Sequence, residues 1–142
     1  MKMDDLEELK NKWIIDEKSF DEKKIAQYVK RLMRYCKITK TGEVDLTGLG
    51  DKFTLKDKIK LALVARFIAS KLDESIKPFL SAREISNFFM VDKIQVSARL
   101  KEIKDEKLSI REKKGTYRVI PTKIEKILKE LESKYGEKDD RK

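Results

Sequence analysis

Between Ser81 and Ile120 the apolar residues change period once, from helical to alternating, with no polar linker in between. Few architectures accommodate that change. Ile85, Phe88 and Phe89 fall on one side of a short first helix. Val96, Leu100 and Ile103 follow at the i, i+4, i+7 spacing of a single buried stripe on a second helix. Ser81 stands three residues before Glu84, and Asp92 three before Gln95. Each pair has the composition of a capping box, in which both side chains satisfy backbone N–H groups at a helix start. After Leu108 the period becomes two, with Leu108 and Ile110 alternating with Ser109 and Arg111. Lys113-Lys114-Gly115 then supplies a turn, and Thr116–Ile120 returns as a β-rich strand.

This order of helix, tight turn, helix and basic hairpin resembles the winged-helix superfamily. The segment EISNFFMVDKIQVSARLKEIKDEKLSI is similar to that family's small prokaryotic and archaeal DNA-binding regulators. The resemblance implies that Ile85, Phe89, Val91, Val96, Leu100 and Ile103 are core positions. It makes Asp92–Lys107 the recognition helix and Arg111–Arg118 the wing. The family often carries glycine where this chain has Met90 and Lys107. Both positions often need positive φ, which other residues adopt at a cost. Winged helices serve as DNA-binding regulators and also as protein–protein modules, so the fold alone leaves the partner open.

With Val96, Leu100 and Ile103 turned inward, a rotation of about 100° per residue places Ile94, Ala98, Lys101 and Asp105 on the opposite face. Lys93, Ser97 and Lys104 lie on one flank, Gln95 and Glu102 on the other. In a helix-turn-helix the N-terminal part of this helix meets base edges. The resemblance therefore implies reading positions at Lys93, Ile94, Ser97, Ala98 and Lys101, flanked by Gln95 and Lys104. Lysine can donate to guanine, and Ile94 or Ala98 can meet a thymine methyl. The same Ile94/Ala98 patch also suits a protein interface. Arg111, Lys113, Lys114 and Arg118 crowd around the hairpin turn as a phosphate-binding set.

The distribution of charge agrees with a polyanionic partner. The chain of 142 residues carries 35 Lys+Arg against 26 Asp+Glu, a net charge of +9. Leu55–Ile120 holds 16 basic and 9 acidic residues, so the surplus concentrates on the suspected winged helix. Lysine richness with few amides also marks proteins from hot environments, and a thermophile composition accounts for part of it. Double-stranded DNA is the expected partner; structured RNA and a protein partner are the alternatives.

The rest of the chain reads as mainly α with a small β component, an α+β class. Residues 1–53 form a helical extension with a hairpin, 54–135 the winged helix with a C-terminal helix, and 136–142 a charged tail. Met3, Leu6, Leu9 and Trp13 make an amphipathic stripe. Ser19 and Glu22 cap a helix from about Phe20 to Tyr35, whose apolar face is Ile25, Tyr28, Val29, Leu32, Met33 and Cys36. Cys36, Ile38, Val44 and Leu46 suggest two short strands around Lys40-Thr41-Gly42-Glu43. The glycine-bearing stretch Leu46–Lys52 lacks the spacing of a phosphate loop and reads as a connection.

Thr54 with Asp57 caps Leu55–Leu72, whose apolar residues leave little polar circumference and mark it as the most buried helix. Asp73–Leu80 is its exit loop. Pro121-Thr122, with Glu125, opens a last helix bearing the stripe Ile124, Ile127, Leu128, Leu131 and Tyr135. Two terminal stripes exceed what one winged helix covers, so a homodimer through terminal helices is expected.

Catalytic chemistry is not evident. Histidine is absent, and the carboxylates are interleaved with lysine as in exposed ion pairs. One cysteine, Cys36, permits no internal disulfide and suggests a buried thiol. No cofactor or metal site is indicated, and a non-enzymatic protein is expected. The longest nearly apolar run, Leu61–Ser70, is interrupted by Arg66 and too short to span a bilayer. No N-terminal leader pattern is present, so a cytoplasmic protein is expected.

Overall fold

A computed structural model describes residues 3–13 and 22–136. The Ser19 cap, the helix start at Phe20 and the tail beyond Gly136 lie outside the described residues. The elements, in order, are α1 (Met3–Trp13), α2 (Glu22–Leu32), β1 (Cys36–Ile38), β2 (Val44–Leu46), α3 (Leu55–Leu72), β3 (Leu80–Ser81), α4 (Ala82–Phe89), α5 (Lys93–Asp105), β4 (Ser109–Lys113), β5 (Thr116–Val119) and α6 (Ile124–Tyr135). The fold is mainly helical with two small antiparallel sheets. No helix among the described residues is long and apolar enough to cross a membrane.

The central element is α3. Its start is sealed by Thr54, whose hydroxyl accepts from the Asp57 N–H at 3.3 Å. From Ile59 to Ala69 every residue is buried, as an apolar circumference requires. Around it pack α2, β1, β2, α5, β5 and α6 in one hydrophobic core. The stripe of α6 (Ile124, Ile127, Leu128, Leu131) is buried within this chain, facing α3, and offers nothing to a second copy. That corrects half of the expected dimer surface. The Thr122–Glu125 cap is also absent: Lys123 precedes α6 without a side-chain cap, and Glu125 instead accepts from Arg31 Nη1 at 2.8 Å.

Polar contacts tie α6 to both α2 and α3. Arg31 of α2 also donates twice to Glu132, at 2.8 and 2.9 Å. Asp57 is buried, and its carboxylate accepts from Tyr135 Oη at 2.7 Å and Lys134 Nζ at 2.9 Å. Burial alone would raise its pKa, but those two partners offset it and hold the carboxyl below its ordinary value. The Tyr135 ring stacks on Phe53 with centroids 4.0 Å apart. Cys36 is buried, as expected, and burial pushes its thiol up to about 12.

Three further readings need correction. Met33 and Leu72, assigned to apolar faces, stand exposed at the ends of their helices. Leu80–Ser81 is not only exit loop: it pairs antiparallel with β5, Leu80 opposite Tyr117, and makes a three-stranded sheet in the order β3-β5-β4. Leu80 is fully buried, so pairing satisfies backbone groups that its burial removes from water.

Candidate nucleic-acid interface

The two helices before the second hairpin are joined by a turn that the local sequence closes. Ser81 and Glu84 form the full capping box of α4, with bonds of 3.1 and 2.9 Å. At the other end Met90 adopts the left-handed conformation, φ +54°, and the Val91 N–H reaches the Ser86 carbonyl. The Ser86 hydroxyl returns a bond to the Val91 carbonyl at 2.6 Å. Lys107 ends α5 in the same way, with φ +64° and the Leu108 N–H on the Ile103 carbonyl. Met90 and Lys107 thus take the positive φ for which glycine is the usual residue. The Asp92 capping box does not form: its carboxylate makes no cap bond and lies in solvent, so α5 runs Lys93–Asp105.

On α5, Val96, Leu100 and Ile103 are buried. Lys93, Ile94, Gln95, Ser97, Ala98, Lys101 and Lys104 are all exposed, on the outward part of the helix. Ile94 is 77% exposed and Met90, in the preceding turn, 89%. Both apolar side chains stand beside the exposed lysines of α5.

The second hairpin carries the remaining candidates. In β4 only Ser109 is buried; Arg111, Lys113 and Lys114 project into solvent around Gly115. A register shift between Arg111 and Lys113 leaves Glu112 without an opposite residue. Arg118 departs from expectation. Its Nε donates to Glu112 Oε1 at 2.7 Å, and its side chain is only 17% exposed. Ile110 lies opposite Arg118, two residues before Glu112 on the same strand.

Acidic side chains near this face are largely engaged elsewhere. Glu102 and Glu106 pair with Lys56 of α3, and Glu102 also with Arg99 at 2.9 Å. The hydrogen bond that Lys56 donates to Glu106, with Glu102 adding to it, raises the Lys56 pKa above its ordinary value. Among the described residues, Lys93, Lys101, Lys104, Arg111, Lys113 and Lys114 form no ion pair. Asp92, just before α5, and Asp105 are exposed and form no ion pair among the described residues.

The end of α5 and the start of β4 flank one open cleft of about 550 Å³, lined by Lys104, Lys107 and Arg111 together with Asp105 and Ile110. Lys107 was not among the candidates. Its signal was present, because a non-glycine residue at a left-handed helix end projects its side chain outward beside the next strand. The exposed Met90 was missed for the same reason. No family model, no curated protein and no solved structure matches this chain.

Proposed function

We propose that this chain is a winged-helix protein that binds double-stranded DNA through α5 and the β4–β5 wing, as a transcription regulator. The observation that carries this reading is the charge arrangement. Among the described residues, six exposed cations on α5 and the wing form no ion pair, while Glu102, Glu106 and Glu112 are paired with Lys56, Arg99 and Arg118. A surface of unneutralised lysine and arginine is stabilised by phosphate, with release of the counterions condensed on DNA.

Lys93, Ile94, Gln95, Ser97, Ala98 and Lys101 would face base edges, with the two apolar side chains against thymine methyls. Lys104, Arg111, Lys113 and Lys114 would bind phosphates and set orientation without choosing sequence. Arg118 is reassigned to holding Glu112.

A gel shift with random duplex DNA across a salt series tests the reading. Log affinity is expected to fall with log salt by roughly 0.9 per phosphate neutralised. A flat response, or no shift at low salt, overturns it. That result would promote the second reading, a protein-binding adaptor using Met90, Ile94 and Ala98, which the exposure of Met90 and Ile94 favours. A competing structured RNA in the same assay separates the two nucleic acids.

A further inference from the structure

Away from the α5 face, two apolar features among the described residues are left uncovered, and each has the form the other needs. The first is the stripe of α1. Leu6, Leu9 and Trp13 lie within one narrow arc of the helix, and all are exposed, Trp13 by 84%. An 11-residue helix is marginal in water by itself, so the exposed stripe favours a cover.

The second feature is a groove between α2, β1 and α3, with a volume of about 350 Å³. Val29, Leu32, Met33, Ile38, Ile68 and Leu72 line it. Met33 and Leu72 stand at its mouth, 59% and 65% exposed. Buried Ile68 and Leu32 form part of its floor. A helix laid in such a groove anchors by side chains at i, i+3 and i+7, the spacing of Leu6, Leu9 and Trp13.

We propose that α1 of one copy docks in this groove of a second copy, reciprocally, making a twofold dimer. Three observations favour this occupant. Stripe and groove lie on the same chain, which is the self-complementarity that an isologous interface requires. Within the single chain the stripe does not cover the groove, since both remain exposed. The net charges are also opposite: Met3–Trp13 has Asp4, Asp5, Glu7 and Glu8 against two lysines, with Asp5 bordering the stripe on one side and Lys10 on the other, while exposed Lys37 lines the groove and exposed Lys30 follows its lining residue Val29. The groove is formed by different elements from the α5–wing face, so the proposal does not depend on what that face binds.

The test uses the full chain. Sedimentation equilibrium is expected to give a dimer at micromolar concentration, and Leu9→Asp and Leu72→Glu are each expected to weaken it by about 100-fold. Both positions are exposed in the single chain, so circular-dichroism melts of the variants should match the parent. Leu9→Cys chains mixed with tagged Leu72→Cys chains should form a disulfide between the two kinds of chain. Three results would overturn the proposal. One is a monomer at high micromolar concentration. Another is a dimer that survives both substitutions. The third is a double variant, Leu9→Cys with Leu72→Cys, that closes its disulfide only within one chain, which would mean α1 folds onto its own groove.

Discussion

The hairpin β1–β2 and the hairpin β4–β5 each follow a helix, and each turns near a lysine and a glycine with positive φ: +92° at Gly42 and +82° at Gly115. Their surroundings differ. The first turn is drawn onto the core by Arg66 of α3, whose Nη1 donates to the Gly42 carbonyl at 2.7 Å and whose Nε donates to the Lys77 carbonyl at 2.6 Å. Gly42 is buried as a result. At Gly115 an added Cβ would meet nothing within 4 Å, and the lysines beside it stay in water. A hairpin becomes structural or available for binding according to what lies above its turn, and one buried arginine makes the difference here.

The largest way to break that contrast is to remove the arginine. Arg66→Ala leaves two backbone carbonyls without their donor and should lower stability by about 2–5 kcal/mol. Arg111→Ala, on the exposed strand of the other hairpin, should stay within about 0.5 kcal/mol. Paired urea melts of the two variants measure the difference, and equal effects would remove the distinction between the hairpins.

A smaller effect is expected at the glycines. Gly42→Ala combines a left-handed backbone with a Cβ at 2.9 Å from Arg66 Nη1 and 3.3 Å from Ile76 Cγ2. It should cost about 1–3 kcal/mol. Gly115→Ala meets only the backbone preference, about 1–2 kcal/mol at most. Thermal melts should rank Gly42→Ala as the more damaging of the two.

The smallest effect on stability belongs to the lysines of the β4–β5 turn, and under the proposed function it is the sharpest on DNA binding. Lys113→Ala combined with Lys114→Ala should leave the melt within about 0.5 kcal/mol of the parent. On DNA the pair should weaken binding about equally for all duplexes and reduce the salt slope by about one per lost contact. Binding selections on random duplexes at one salt concentration would detect a change of sequence preference instead. Under the proposed function, that outcome would assign base contacts to the β4–β5 hairpin in place of α5.

Local chemistry by itself determined most of the element list. Leu55–Leu72, the Ser81–Glu84 capping box, the strands at Cys36–Ile38 and Val44–Leu46, and the buried stripe Val96, Leu100, Ile103 were all legible, because caps and periodicities act within one or two turns of chain. Exposure of the α5 face was legible for the same reason, since a helix that buries one stripe must turn the opposite one outward. Only the tertiary structure decided what each apolar face or charge would meet. Periodicity marks a stripe as apolar without naming its cover. The stripe of α6 is buried against α3, that of α1 stays open, and Met33 and Leu72 flank a groove where a fully covered face was expected. Charges are subject to the same limit. Asp57 finds Tyr135 across 78 residues, and Arg66 finds Gly42 across 24. Such pairings depend on which elements pack together, a free-energy balance summed over the whole core that no local window of sequence contains.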